Sequence, residues 1–161
     1  MNHKKNLGLS VSTAAVFVAV LFISAAYKNN NTLTLHFENY AGDKILKLDD
    51  AVYKNGLNQN FTVTKFKYYI SNISLRRKDG KEVFFNDYFL VNEDEPDTKN
   101  ILLKNIPAGE YQSISFIIGV DSASNCSGAQ SGALDPVNGM FWAWNTGYIF
   151  LKLEGKSSFS K

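Results

Sequence analysis

Few side chains in this sequence could bind a metal ion or act as a nucleophile. Beyond the first 26 residues the chain contains one histidine, His36, and one cysteine, Cys126, and Met140 is followed closely by Trp142 and Trp144. Imidazole, thioether and thiolate groups can all bind transition-metal ions. His36 is therefore the best single metal donor after residue 26, and Met140 and Cys126 are the other conceivable donors.

Each of these residues also has a purely structural interpretation. His36 is one of the polar residues of an alternating segment, so it could simply be an exposed strand residue. Met140 could fill a gap in the core, and Trp142 and Trp144 could both be core residues. A single histidine also supplies too few ligands for tight binding of a metal ion.

The sequence does not favour an enzyme. A Ser-His-Asp or Cys-His arrangement would have to be built around His36, and Cys126 lies in a polar segment with no basic neighbour to activate its thiol. The motifs GxxxxGK[ST], GxGxxG and HExxH, which bind phosphates, dinucleotides and catalytic zinc, do not occur. We therefore expect a binding protein without catalytic residues.

Charge and composition exclude other classes of protein. Lys and Arg number 17 and Asp and Glu 15, and without Lys4 and Lys5 the basic count is 17 − 2 = 15, which leaves a formally neutral chain. A neutral chain is not typical of nucleic-acid binding. Aromatic residues make up 14% of the sequence, which is enough to fill a core, so a folded domain is expected.

The amino terminus has the pattern of a cleavable export signal. Lys4 and Lys5 precede an apolar run, and small residues follow it at Ser24 to Ala26. The run is shorter than the roughly 20 residues that span a bilayer, so no stable membrane insertion is expected. We predict a signal peptide at residues 1–26, a linker at 27–31 and one domain at 32–161, in a periplasmic or extracellular protein.

The domain is predicted to consist of antiparallel strands. Leu33, Leu35 and Phe37 alternate with polar residues, and Asp79-Gly80 between two apolar segments is a strong hairpin signal. No clear ten-residue helix separates successive strands, which disfavours a parallel sheet with crossover helices. The fold class is therefore all-β, an antiparallel β-sandwich. Further strands are predicted at residues 60–75, with one helical turn near Thr64, and at 88–91, 101–103, 111–120 and 148–153.

The segment after residue 120 differs from the rest. Residues 121–138 form a long Gly-, Ser- and Asn-rich stretch, which is unusual inside a domain and points to function or disorder. The strand predicted at Tyr148 to Leu153 has no later strand to pair with. We therefore expect the sandwich to be incomplete, with part of the natural carboxyl-terminal region missing, and expect its unpaired edge to favour association.

Four segments carry a resemblance to a known family. Trp142 and Trp144 after Gly139-Met140, followed by Gly147-Tyr148, are the most specific part. The segments are FTVTKFKYYISNISL (Phe61 to Leu75), IPAGEY (Ile106 to Tyr111), SFIIGVD (Ser115 to Asp121) and ALDPVNGMFWAWNTGYIFLKLEG (Ala133 to Gly155). In this order they resemble the copper-binding MbnP-like family of exported bacterial proteins.

The resemblance implies a periplasmic or surface β-sandwich that binds copper, and with it the ligand set expected in this chain is His36, Met140, Trp142 and Trp144. In some members it implies ligation by histidines and by a tryptophan that a di-haem partner protein of the MbnH type has oxidised to kynurenine. The predicted function is sequestration or delivery of copper outside the cytoplasm. The alternative is a metal-free extracytoplasmic binding or adhesion module, which would contact its partner through the Gly/Ser-rich loop and exposed aromatic residues.

Overall fold

The computed structural model describes residues 31–142, 144 and 147–157 of the chain. The predicted signal peptide lies outside the described residues. Ten strands and one short helix follow in the order β1 Leu33–His36, β2 Tyr40–Ala41, β3 Lys44–Ile45, β4 Tyr53–Lys54, β5 Asn60–Arg77, β6 Glu82–Phe85, β7 Phe89–Asn92, β8 Asn100–Leu103, β9 Tyr111–Ile118, α1 Ser122–Asn125 and β10 Leu151–Ser157. Turns of 3-10 helix occur at Pro96–Lys99, Gly132–Leu134 and Pro136–Asn138.

The 18-residue strand β5 organises the largest sheet. All its neighbours are antiparallel: β4, β7 and β6 pair along one edge, and β10 and β9 pair along the other. The pairing with β9 is irregular between Ser71 and Ser74, where Asn72 has a positive φ of 50°. This irregularity shifts the alternation, so Ile70 and Ile73 both face the same core.

The main core lies between this sheet and a second layer made of β1 and β8. The two layers bury apolar side chains from both sheets: Tyr68, Ile70, Ile73, Leu75, Val91, Ile101, Leu103 and Ile106. The pairing of β1 with β8 is antiparallel, and Leu35 and Phe37 pack against the main core from that layer. The all-β antiparallel fold expected from the sequence is confirmed.

A second core lies on the opposite face of β5. Tyr69 points away from its neighbours Tyr68 and Ile70, because side chains alternate along a strand. It is buried with Val120, Leu134, Met140 and Tyr148. Residues from 119–142 and 147–150 cover this face, and within them the Gly- and Ser-rich stretch contains α1 and two 3-10 turns. A third, smaller core joins Leu46, Tyr53 and Val63.

Most predicted strands occur, with some corrections. The hairpin at Asp79-Gly80 is confirmed, since β5 and β6 pair around it and the N–H of Gly80 donates to the carbonyl of Arg77 (3.0 Å). The helical turn predicted near Thr64 is wrong: this residue lies inside the continuous strand β5. The last strand starts at Leu151 rather than Tyr148, because Tyr148 instead forms an isolated bridge with Phe141.

Candidate metal site

His36 is the last residue of β1 and its imidazole is fixed by the neighbouring strand. The antiparallel register places His36 opposite Asn100 of β8, so both side chains lie on the same face. The Nδ1 of His36 lies 2.7 Å from the Oδ1 of Asn100. Since an amide oxygen only accepts hydrogen bonds, Nδ1 carries the proton and donates it. In the neutral ring, the lone pair is therefore on Nε2.

Glu38 lies beside this free nitrogen. Its Oε1 is 3.6 Å from the Nε2 of His36, and both side chains are about half exposed. The other carboxylate oxygen, Oε2, accepts a hydrogen bond from the hydroxyl of Tyr40 (2.9 Å), and this contact raises the pKa of the Tyr40 phenol. His36 and Glu38 thus form a two-donor arrangement open to solvent.

Met140 lies far from solvent. Its side chain is fully buried in the second core with Tyr69, Val120, Leu134 and Tyr148. The thioether is surrounded by apolar and aromatic groups, where Met commonly serves to fill space. Ligation of copper by Met140 would require this core to open.

The two tryptophans lie together at the tip of a hairpin. We call this the tryptophan hairpin: Met140, Phe141 and Trp142 form one arm, and Gly147, Tyr148 and Ile149 the other. The N–H of Trp142 donates to the carbonyl of Gly147 (2.9 Å), and that of Ile149 donates to the carbonyl of Met140 (2.9 Å). The rings of Trp142 and Trp144 are 4.6 Å apart between centroids and inclined at 59°, and they are 40% and 80% exposed.

The loop that precedes the hairpin is clamped to its base. The N–H of Tyr148 donates to the Oδ1 of Asn125 (2.7 Å) at the end of α1, and the hydroxyl of Tyr148 donates to the carbonyl of Leu134 (2.9 Å). Asp121 accepts hydrogen bonds from the N–H of Ser124 (3.1 Å) and from the hydroxyl of Tyr88. The bonds to Tyr148 hold the second arm of the hairpin against this loop.

The predicted ligands therefore lie in three separate parts of the molecule: His36 on β1, Met140 in the second core, and the two tryptophans at the tip of the hairpin. Among the described residues, no hydrogen bond or ring contact joins His36 to Met140 or to the tryptophans, and no three His, Cys, Asp or Glu side chains are grouped closely enough to hold a metal. Cys126 caps the end of α1 as an exposed free thiol.

Sequence reasoning did not identify Glu38 or Asn100 as partners of His36. Glu38 is two residues after His36, and alternation could have placed the two side chains on one face. Asn100 could not have been found in this way, because its place opposite His36 depends on the register between strands 64 residues apart.

Comparisons with known proteins agree with this architecture. A solved structure, MbnP from Methylosinus trichosporium, superposes with a TM-score of 0.60 at 15% sequence identity, over 80% of this chain and 56% of that one. This chain thus spans little more than half the length of its solved relative, and at such low identity the likeness concerns the fold alone. None of the curated proteins matches the chain.

In the part of the chain that the structure describes, no helix has the length and apolar character needed to cross a membrane.

Family membership rests on the sequence itself. The family model for MbnP matches residues 30–161, which include all ten strands and the tryptophan hairpin. The chain therefore belongs to the MbnP family.

Proposed function

We propose that this protein binds copper outside the cytoplasm, to sequester or deliver it, and that it does so without a catalytic step of its own. Two findings support the proposal: membership of the MbnP family, and a half-exposed imidazole whose Nδ1 is held by Asn100 while its Nε2 lies beside the carboxylate of Glu38. The second finding assigns the proposed copper binding to a particular residue, His36. Asn100 fixes the tautomer of His36 in the way that hydrogen-bond partners of metal-binding histidines do.

The proposed ligands are the Nε2 of His36 and the carboxylate of Glu38, with water completing the coordination. Imidazole and carboxylate together suit cupric rather than cuprous copper, because neither is a soft sulfur donor. Two side-chain ligands on an exposed surface predict weaker binding than in a site with three or four. In this proposal Met140 stays in the second core and is not a ligand.

The tryptophan hairpin is proposed as the place where a partner protein acts. Trp144 is 80% exposed, so its indole is accessible from solvent. We propose that a di-haem partner of the MbnH type docks here and oxidises a tryptophan. Such a modification would add a donor near Trp142 and Trp144 that the unmodified chain lacks.

The alternative function is a metal-free binding module. The observation in its favour is the same exposed ring pair, since adjacent aromatic rings such as Trp142 and Trp144 supply contact area for a partner. In that case copper would not bind at His36, and the hairpin would be the functional surface.

Copper titration of His36 variants tests the first proposal. All proteins carry His3→Ala, because His3 is the only other histidine of the full chain. We expect His36→Ala to lower the affinity for Cu²⁺ by about tenfold or more, or about 1.4 kcal/mol, and Glu38→Gln to lower it less. Thr34→Ala, on the same exposed face of β1, is the matched control and should leave the affinity unchanged.

Electron paramagnetic resonance gives an independent readout. Bound Cu²⁺ should show nitrogen coupling from one imidazole in the control and none in His36→Ala. Equal affinity in His36→Ala and Thr34→Ala would remove His36 from the site. If none of the proteins takes up copper, the metal-free module is favoured instead.

A further inference from the structure

A buried carboxylate, that of Glu93, lies directly after the end of β7. Its side chain is only 6% exposed. The backbone N–H of Glu93 donates to the carbonyl of Phe66 on β5 (3.0 Å), so the largest sheet fixes where this residue lies. Burying a carboxylate is costly unless its oxygens have partners. The partners of Glu93 therefore indicate which parts of the chain this group holds in place.

Each carboxylate oxygen of Glu93 accepts from a different segment of the chain. The Nζ of Lys99 donates to Oε1 (2.8 Å), and the side chain of Lys99 is itself only 18% exposed. The Nδ2 of Asn39 donates to Oε2 (2.7 Å). We call these three side chains the buried tether: Asn39, Glu93 and Lys99.

The buried tether holds the chain neighbours of the residues at the proposed copper site. Asn39 follows Glu38, which is one of the two proposed ligands. Lys99 precedes Asn100, whose Oδ1 accepts from the Nδ1 of His36 (2.7 Å). One carboxylate thus connects the segment that carries both ligands to the segment that orients the imidazole.

Both segments have further anchors beside the carboxylate. The Oδ1 of Asn39 accepts from the hydroxyl of Tyr68 on β5 (3.0 Å). The N–H of Phe37 donates to the carbonyl of Lys99 (2.9 Å), which extends the pairing of β1 with β8 beyond His36. The two segments are therefore fixed to the largest sheet and to each other.

Without the buried tether the site would have few constraints. β1 and β8 pair over four residues each, and His36 and Asn100 form the last pair of this ladder. The ends of such elements open more easily than their centres. An apolar pair often stabilises a fold as well as a buried ion pair does, so stability alone does not account for burying Glu93 with Lys99.

We propose that Glu93 is the positioning residue of the His36 site, and that its buried carboxylate keeps the two proposed copper ligands at a fixed separation. Through Lys99 it keeps the partner amide opposite His36, and so keeps the proton on Nδ1. Through Asn39 it keeps Glu38 beside Nε2. The inference rests on the proposed copper site, but the tautomer of the ring is a property of the metal-free protein and can be measured separately.

Nitrogen NMR of the metal-free full chain tests the link through Lys99. With His3→Ala, His36 supplies the only imidazole signals. At alkaline pH, where the ring is neutral, the two ring-nitrogen shifts should show one tautomer with the proton on Nδ1. Glu93→Gln combined with Lys99→Met removes the ion pair without leaving a buried charge, and should give a mixture of both tautomers. Ile73→Val, which weakens the main core elsewhere, is the control and should keep the single tautomer.

Copper titration of the same variants tests the effect on the site. The double variant should lower the affinity for Cu²⁺ by about threefold to tenfold, at the lower end of what loss of an outer hydrogen-bond partner costs a metal site. Ile73→Val should leave the affinity unchanged. Asn39→Ala cuts only the link to Glu38, so it should lower the affinity while the ring of His36 keeps its single tautomer.

The two measurements separate this inference from the proposed function. A single tautomer in the double variant, or a mixture in Ile73→Val as well, would overturn the positioning role. Unchanged affinity in Asn39→Ala, in a chain that binds copper at His36, would also overturn it. A tautomer mixture confined to the double variant, with no copper uptake by any of the proteins, would support the positioning of His36 and reject the proposed function instead.

Discussion

Two tyrosines pack against each other in the second core, but only one of them has a hydroxyl with hydrogen-bond partners among the described residues. The rings of Tyr69 and Tyr148 are in edge contact at 6.0 Å. The hydroxyl of Tyr148 accepts from the N–H of Gln130 (3.0 Å) and donates to the carbonyl of Leu134. The hydroxyl of Tyr69 has no hydrogen-bond partner among the described residues, and burial raises its pKa.

Replacing each tyrosine with phenylalanine should therefore have opposite effects. Tyr69→Phe removes a buried group without a partner and should raise the free energy of unfolding by up to about 1 kcal/mol. Tyr148→Phe removes a hydroxyl that is hydrogen-bonded to the N–H of Gln130 and to the carbonyls of Gly128 and Leu134, and it should lower the free energy of unfolding by about 1–3 kcal/mol. Urea unfolding of both variants measures this, and a larger loss for Tyr69→Phe than for Tyr148→Phe would contradict it.

At the residue scale, the sequence predicted exposure better than contacts. Alternation along β1 correctly placed His36 on the polar side, away from Leu35, because a period of two is a local property. The burial of Met140 and the contact between Trp142 and Trp144 depend on how the tryptophan hairpin packs on β5, which no local pattern encodes.

At the element scale, Asp121 fixes the start of the loop that carries the tryptophan hairpin. Its carboxylate caps α1 through the N–H of Ser124 and accepts from the hydroxyl of Tyr88, and Tyr88 also lies 2.6 Å from the Oγ of Ser124. The hydrogen bond from Tyr88, followed by that from Ser124, holds the pKa of Asp121 below its usual value of 3.8. The folded chain thus binds fewer protons at this group than the unfolded chain.

This lowered pKa predicts how stability depends on pH. The stabilisation by Asp121 is complete above its unfolded pKa and is lost as the pH falls through the lower folded pKa. Asp121→Asn should therefore destabilise the protein at pH 6 and have a smaller effect at pH 3. Urea unfolding at several pH values measures the difference, with Asp43→Asn in the exposed turn between β2 and β3 as the control. A difference that grows towards low pH would contradict the assignment.

Local signals decided which elements the sequence could predict. The Asp79-Gly80 turn and the apolar segments beside it identified the β5–β6 hairpin, since turn residues act over a few positions. The start of the last strand was misplaced because Tyr148 is apolar enough for a strand but is drawn into the bridge with Phe141. No sequence pattern indicated the hydrogen bond between Tyr88 and Asp121, because the two residues are 33 positions apart in the chain.

At the scale of the whole molecule, β5 joins the two large cores. Adjacent residues of this strand point in opposite directions, with Tyr68 and Ile70 in the main core and Tyr69 in the second core. If β5 separates from one core, its residues in the other core become exposed as well. We therefore expect the cores to unfold together.

Two optical probes can test this cooperativity. The only tryptophans, Trp142 and Trp144, report on the hairpin over the second core, whereas far-ultraviolet circular dichroism reports on all the sheets. Their urea transitions should have the same midpoint, as two-state unfolding requires. A fluorescence change at lower urea would mean that the second core is a separate unit. Tyr148→Phe should shift both transitions equally.

The length and central place of β5 have a consequence for the order in which the chain folds. Phe61 pairs with Ser157 of β10, so the contact closes a loop of roughly one hundred residues, and such distant pairings slow folding. Four of the five strands that pair with β5 follow it in the chain. During synthesis the apolar residues of β5 therefore stay partly exposed until β10 has been made, and until then this strand needs protection from aggregation.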